Sequence, residues 1–274
     1  MDIAGLCRLR SGLVLKEADA ARKLTGAVAA GMTDGKAIDK LQTLNLAEKI
    51  AEIQNVFVAA KQYKLLIILQ GMDTSGKDGT VKGVFGQINP LGTRTVAFKA
   101  PVQVEKDHDY LWRVHREVPG SGEMVIFNRS HYEDVLISKV HGWISEDVCL
   151  QRYAHIRDFE RMLSETGTII LKFFLHLSKA EQKRRLEERL ADPDKYWKFD
   201  PQDLAERTHW DAYQRAYEHA LTATDSDNAP WFVIPSDSKT QRNLLIAGIV
   251  LEKLESLKLK YPPMNPAYRR FLVE

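Results

Sequence analysis

Ten consecutive residues, Gly71-Met72-Asp73-Thr74-Ser75-Gly76-Lys77-Asp78-Gly79-Thr80, have the types and spacing to hold a phosphate. Glycines at 71 and 76 let backbone N–H groups turn inward around an anion, and Thr74, Ser75, Gly79 and Thr80 belong to the same turn. Lys77 completes a G-x-x-x-x-G-K pattern and would set a point charge between phosphates being separated. The next position, where such loops carry a Ser or Thr hydroxyl for Mg²⁺, is Asp78. Asp73 places a carboxylate among amides that should be waiting for an anion. It would oppose a bound phosphate unless a cation lay between them, so it reads as a Mg²⁺ ligand or as an orienting group for the acceptor phosphate. The competing reading is a plain glycine-rich turn after a buried strand.

A second segment, Asn128-Arg129-Ser130-His131-Tyr132-Glu133-Asp134, follows another apolar run. A strand-end Asp usually holds Mg²⁺ in this setting. Here the position is Asn128, a neutral ligand, and the charge has moved to Glu133 and Asp134. Arg129 can pair bidentately with phosphate and steady a loose phosphoryl-transfer transition state. Against this, two acids also suit the first turn of any helix. His131 stays open as a site residue because it lies inside the segment, while the other histidines show no ligand spacing. Residues 178–211 read as a lid, with Lys179, Lys183, Arg184, Arg185, Arg189, Lys195, Lys198 and Arg207. Arg185 and Arg189 are i, i+4 neighbours that could form a clamp, and about half of the basic residues should simply face water. Trp197 and Phe199 would pack the lid or stack a base. Lys82 and Lys99 could extend a cationic track away from the loop.

These groups need a scaffold that brings strand ends together. Lys64 to Gln70 contains a run of five apolar residues, the pattern of a strand buried on both faces. Further strands are expected over 93–98, 123–127, 168–176 and 231–235. Helices are expected over 37–63, 79–88, 105–117, 145–166, 203–222 and 239–258, with another opened by the capping pattern Ser178-Lys179-Ala180-Glu181. Thr33 or Asp34 would cap the 37–63 helix, whose apolar stripe reads Leu41, Leu44, Ile50, Ile53, Val56 and Phe57. Tyr110, Leu111 and Val114 would be the buried stripe of 105–117, and residues 1–33 a surface-hugging lead-in. The fold class is α/β, a parallel five-stranded sheet with helices on both faces, in one domain spanning residues 1–274. The formal net charge of +2 argues against a nucleic-acid binder. Cys7 and Cys149 are too few for a disulfide framework, and no apolar leader or span is evident. A cytoplasmic setting is the expectation, with neither nucleic acid nor membrane as partner. A homo-oligomer is also expected, the 37–63 and 239–258 helices either forming its interface or covering the sheet.

The phosphate loop resembles that of the second family of polyphosphate kinases. So do Phe127-Asn128-Arg129-Ser130-His131-Tyr132-Glu133-Asp134-Val135, Asp192-Pro193-Asp194-Lys195-Tyr196-Trp197-Lys198-Phe199 and Ala229-Pro230-Trp231, and the resemblance spans about residues 37–260. It implies a P-loop kinase-like α/β/α sandwich with a helical lid, similar to thymidylate kinase. It also implies Mg²⁺ or Mn²⁺ as cofactor, and inorganic polyphosphate and adenine nucleotides as substrates, with guanine nucleotides a second class. Asp73, Lys77 and Arg129 resemble the family's catalytic loop aspartate, phosphate-binding lysine and post-strand arginine. Asn128 with Glu133 and Asp134, in place of Asp-Arg-Ser-x-Tyr-Asn, is similar to the subgroup that accepts AMP as well as ADP. The reaction expected is reversible transfer of the terminal polyphosphate group to AMP and ADP. Asp73 and Asp134 would hold the metal, and Asn128 and Glu133 the nucleotide. Lys82, Lys99, Arg185, Arg189, Lys195 and Lys198 would meet phosphate. An ATP-dependent nucleoside-monophosphate kinase and a non-catalytic nucleotide-binding regulator are the competing readings.

Overall fold

The computed structural model describes residues 2–271. Five parallel strands, β1 (Lys64–Gln70), β2 (Thr93–Ala97), β3 (Met124–Asn128), β4 (Thr168–His176) and β5 (Trp231–Pro235), form one sheet in the order β2-β3-β1-β4-β5. The α/β expectation holds, and β1, β4 and β5 have the bounds read from the sequence. The apolar run of β1 is continuous because both faces are covered. Leu66 and Ile68 enter a core with Phe127, Phe174, Tyr217 and Trp231. Leu65, Ile67 and Leu69 enter the other with Ile50, Phe57, Leu245 and Ile249.

One face is covered by α1 (Gly35–Ala60), α2 (Lys77–Phe85) and, at the far end of the chain, a helix over Lys239–Ser256. The stripe expected on α1 holds only in part: Ile50 and Phe57 are buried, but Leu41 is 60% exposed, and the buried positions include Asp39, Thr43 and Gln54. Tertiary hydrogen bonds outrank hydrophobicity here: Asp39 Oδ1 accepts from Ala27 N at 2.6 Å and its Oδ2 from Gln241 Nε2 at 2.8 Å. Asp34 occupies the cap position at φ 59° without a side-chain cap bond. The Lys239–Ser256 helix is buried along residues 244–251, so it covers the sheet.

The opposite face carries α3 (Glu146–Glu165) and a helix over Trp210–Thr224. The single helix expected over 105–117 is instead two short pieces, Gln103–Lys106 and Trp112–His115. Between them Asp109 Oδ1 accepts from Leu111 N at 2.9 Å, a local turn that competes with helix. Val114 is buried as expected, while Tyr110 and Leu111 are half-buried.

After β4, residues 178–211 form α4 (Lys179–Ala191), a 3₁₀ turn over Pro193–Lys198, and α5 (Pro201–Arg207), leading into α6 (Trp210–Thr224). The helix expected over 203–222 is thus two. The Ser178 hydroxyl caps α4 by accepting from Glu181 N at 3.1 Å. Glu181 turns to Arg184 and Arg185 rather than back to the cap. The last helix, Lys239–Ser256, is α7. The lead-in runs along β5, where Leu9 N donates to Trp231 O at 2.9 Å and Arg8 bridges to Phe232, which blunts a sheet edge. No helix among the described residues is long and apolar enough to cross a membrane.

Candidate active site

β1 lies between β3 and β4, so the loop after β1 and the segment after β3 open side by side on the carboxyl edge of the sheet. The loop's shape depends on two glycines. At Gly76, φ is 102° and a Cβ would lie 1.8 Å from Arg242 Nη1; at Gly71 it would meet Leu175 O at 2.8 Å. Lys77 opens α2 with its ammonium folded back into the loop, donating to Gly71 O at 2.7 Å and Met72 O at 3.2 Å. Burial, then repulsion from Arg129, brings that ammonium down from its ordinary 10.5 to about 8. Thr74 Oγ1 and Ser75 Oγ are buried without a hydrogen-bond partner.

The structure joins the two segments through Arg129. Its Nη2 donates to Asp73 Oδ1, and its Nη1 to Glu133 Oε2 at 3.2 Å. The Glu133 charge, helped by that of Asp73 and against the opposing effect of burial, holds the guanidinium firmly protonated. With its carboxamide turned to accept from Ser130, Gln70 donates to Glu133 Oε1 at 3.0 Å. Asn128 Nδ2 donates to Asp78 Oδ1 at 2.7 Å, so the two departures from the ordinary loop pattern bond to each other.

A cleft of about 560 Å³ runs over the loop, lined by Asp73, Lys77 and Arg129 together with Lys99, Arg189, Lys195, Lys198, Lys239 and Arg242. Trp197, expected to pack the lid or stack a base, is 77% exposed and also lines this cleft, with Lys198 Nζ over its ring at 4.8 Å. A neighbouring cavity of about 700 Å³ is lined by Phe98, Pro101, Arg113, Glu133, Asp134, Ile137 and Trp143.

The other expected site residues stand differently to the cleft. Arg185 lines it but is 4% exposed and donates to Thr74 O at 2.9 Å, Ser236 O at 2.6 Å and Asp237 O at 3.0 Å, bracing the loop. Arg189 reaches the cleft but pairs with Asp203 Oδ2 at 3.2 Å. Lys82 is exposed and does not line the cleft, and Thr80 is buried, its Oγ1 3.4 Å from Asn243 Oδ1. Asp134 lies 3.8 Å from Arg113 and 3.9 Å from Arg152 and does not line the Asp73 cleft. Burial raises its carboxyl above the ordinary range, against those arginines. His131 is fully buried at 3.3 Å from Glu160 and belongs to the packing behind the segment.

Three groups escaped sequence reading. Arg242, on the first turn of α7, is 2% exposed and donates to Ser75 O at 3.1 Å, with no carboxylate partner among its hydrogen bonds. Burial and Arg185 bring it down to about 9. Lys239 begins the same turn, and Asp203 lines the cleft with Asp73, its carboxyl pushed up to about 6 by burial and then by the Asp73 charge. The usable signal for the first two was position, since residues just after a parallel strand's carboxyl end face the ligand edge.

One carboxylate at the cleft is compatible with Mg²⁺ or Mn²⁺ held largely by phosphate and water. No group of three or more acids, histidines or cysteines that could hold an ion occurs among the described residues. Mg²⁺ in phosphoryl-transfer sites takes one or two carboxylates and fills its other positions with water and phosphate. Asp73, 20% exposed in its side chain and facing the cleft, supplies such a carboxylate.

The sequence model of the family "Polyphosphate kinase 2 (PPK2)" matches residues 34–262. The chain is 48% identical over 238 residues to the AMP/ADP-polyphosphate phosphotransferase of Meiothermus ruber, covering 87% of this chain and 88% of that one. It is 41% identical over 239 residues to the ADP-polyphosphate phosphotransferase of Rhodopseudomonas palustris, covering 83% of each. Among solved structures, polyphosphate kinase 2 from Arthrobacter aurescens TC1 superposes with a TM-score of 0.91 at 40% identity, covering 98% of this chain and 95% of that one. Sequence and backbone agree over nearly the whole length, and the chain belongs to the polyphosphate kinase 2 family.

Proposed function

We propose that the chain transfers the terminal phosphate of inorganic polyphosphate to AMP and ADP, reversibly, giving ADP and ATP. The observation that carries this reading is the cleft. Cations from the end of β2, from α4, from the Pro193–Lys198 turn and from α7 converge on one phosphate loop. That lining suits a polyanion longer than a nucleotide's own phosphates. The likeness to the Meiothermus ruber enzyme supports AMP and ADP as acceptors.

In this reading the donor's terminal phosphate lies against the loop amides, and Lys77 leaves the Gly71 and Met72 carbonyls to meet it. Arg129 faces the transferring group from the β3 side and stabilises its equatorial charge. Asp73 would hold Mg²⁺ or Mn²⁺, which supplies charge neutralisation and a template for donor and acceptor oxygens. The acceptor nucleoside takes the cavity beside Phe98 and Trp143, with its phosphate toward Arg129 and Asp73. Residues 178–211 act as a lid, with Arg189 exchanging Asp203 for phosphate on closure. In-line transfer requires no protein nucleophile, so placement and electrostatics carry the rate.

The test is purified chain, Mg²⁺, long-chain polyphosphate and AMP with all ATP removed, following nucleotides by chromatography. ADP and then ATP are expected. Reaction with ADP alone would keep the donor and remove AMP as acceptor; reaction only on adding ATP would make this an ATP-dependent monophosphate kinase.

A further inference from the structure

We propose that Glu17 is a positioning residue that staples together the two stems of the 178–211 lid, a step that rests on reading that segment as a lid. Glu17 opens the 3₁₀ turn Glu17–Ala21, outside the residues matched by the family model, 34–262. Its Oε2 accepts from Lys179 N at 2.7 Å, at the first residue of α4. Its Oε1 accepts from Trp210 Nε1 at 3.0 Å, at the first residue of α6. One carboxylate thus spans the place where the lid leaves the body and the place where it returns. The positive end of α4 favours an anion at that first N–H.

The strap carrying Glu17 is fixed to the sheet edge rather than to the lid. His176 Nε2, at the end of β4, donates to Lys16 O at 2.9 Å. Asp237 N, just after β5, donates to Ala20 O at 3.1 Å, and Ala20 is fully buried. Leu15 N donates to Glu218 Oε1 on α6 at 2.7 Å. From the stapled hinge the contacts continue to the loop: Arg207 Nη1 donates to Lys179 O at 2.9 Å and to Gln182 Oε1 at 2.6 Å, and Gln182 Nε2 donates to Asp73 O at 3.1 Å. Glu17 itself is exposed, so its loss removes two hydrogen bonds without leaving a buried charge unpaired.

The test is hydrogen exchange on the full chain for wild type, Glu17→Ala, Glu17→Gln, Trp210→Phe and the double variant Glu17→Ala/Trp210→Phe. In wild type, amides of 179–209 should exchange faster than the strands and slow when polyphosphate is added. Absence of that slowing would sink the lid reading itself. Glu17→Ala should make these amides exchange about tenfold faster, with the strands unchanged. Glu17→Gln keeps one acceptor oxygen and should fall between. Trp210→Phe removes the indole N–H together with part of a buried ring, so it carries a packing loss of its own, and the double variant should exchange more slowly than the product of the two single effects. Lid exchange in Glu17→Ala equal to wild type, or effects that multiply in the double variant, would overturn the staple. A loosened lid should also admit water. The bond to the terminal phosphate then breaks with a water oxygen as acceptor, the proton goes to solvent and orthophosphate is released. Orthophosphate per nucleotide phosphorylated should rise about fivefold in Glu17→Ala. A lesion that merely lowers the folded fraction leaves that ratio unchanged and would count against the staple.

Discussion

Arg129 Nη2 donates to Asp73 Oδ1 across the gap between the two strand-end segments, from a backbone held at φ 64°. A left-handed backbone is uncommon for a residue with a side chain and costs on the order of 1 kcal/mol. The conformation turns the chain back at the end of β3, and a planar fork of donors spans Asp73 and Glu133 at once. A lysine keeps the charge but has no fork. Arg129→Lys should lower kcat about a hundredfold, roughly 2.7 kcal/mol, with a much smaller change in KM for polyphosphate. Steady-state kinetics checks this; a change in KM alone would reduce Arg129 to a binding group.

Each Glu133 oxygen already accepts one hydrogen bond, Oε2 from Arg129 and Oε1 from Gln70, while the residue also lines the neighbouring cavity. Holding Arg129 is the part in the reaction that this geometry gives it. Glu133→Gln should lower kcat about tenfold for AMP and ADP alike. Turnover with the two acceptors separates the cases, since a loss confined to AMP would mean direct contact with the nucleotide.

Lys77 is buried with its ammonium brought down to about 8, burial being the leading cause. The unfolded chain keeps that proton up to the ordinary 10.5, so between about 8 and 10.5 the unfolded state binds more protons than the folded one. Stability from this group therefore rises with pH across that window, and below it the cost of burying the charge is fully present. Relative to Lys77→Met, wild type should gain about 2 kcal/mol between about pH 7 and about pH 9.5, measured by urea unfolding of both proteins. Catalysis moves the opposite way: kcat/KM for polyphosphate should fall above about pH 8 as the free enzyme loses the ammonium.

The loop and the Arg129 segment were legible because each is one local stretch whose chemistry and strand context sit together in the sequence. Arg242 was not, since a basic residue one turn into a terminal helix has the same local appearance whether it faces solvent or the underside of Gly76. The i, i+4 spacing of Arg185 and Arg189 correctly gave them a shared face, but their depth differs, and depth is set by where α4 meets the loop. The α1 stripe was right at Ile50 and Phe57 and missed elsewhere for a related reason. Asp39 and Gln54 are buried to satisfy tertiary hydrogen bonds, which hydrophobic periodicity does not register.

Behind the Arg129 segment, Lys172 stands fully buried in the middle of β4, donating to Glu160 Oε2 at 2.6 Å, Tyr132 Oη at 2.9 Å and Thr224 O at 2.8 Å. Burial lowers the Lys172 ammonium against the pull of Glu160; it also opposes the Glu160 carboxylate, which Lys172 and His131 nevertheless keep below its ordinary value. The pair is well satisfied, because Glu160 Oε1 also accepts from Tyr132 Oη at 2.8 Å. Removing one partner leaves the other charged in an apolar core. Lys172→Met should therefore cost about 3–5 kcal/mol in urea unfolding. Lys172→Met/Glu160→Gln leaves no buried charge and should recover more than half of that loss. A double variant as unstable as the single would show that the hydrogen bonds, rather than the stranded carboxylate, set the cost.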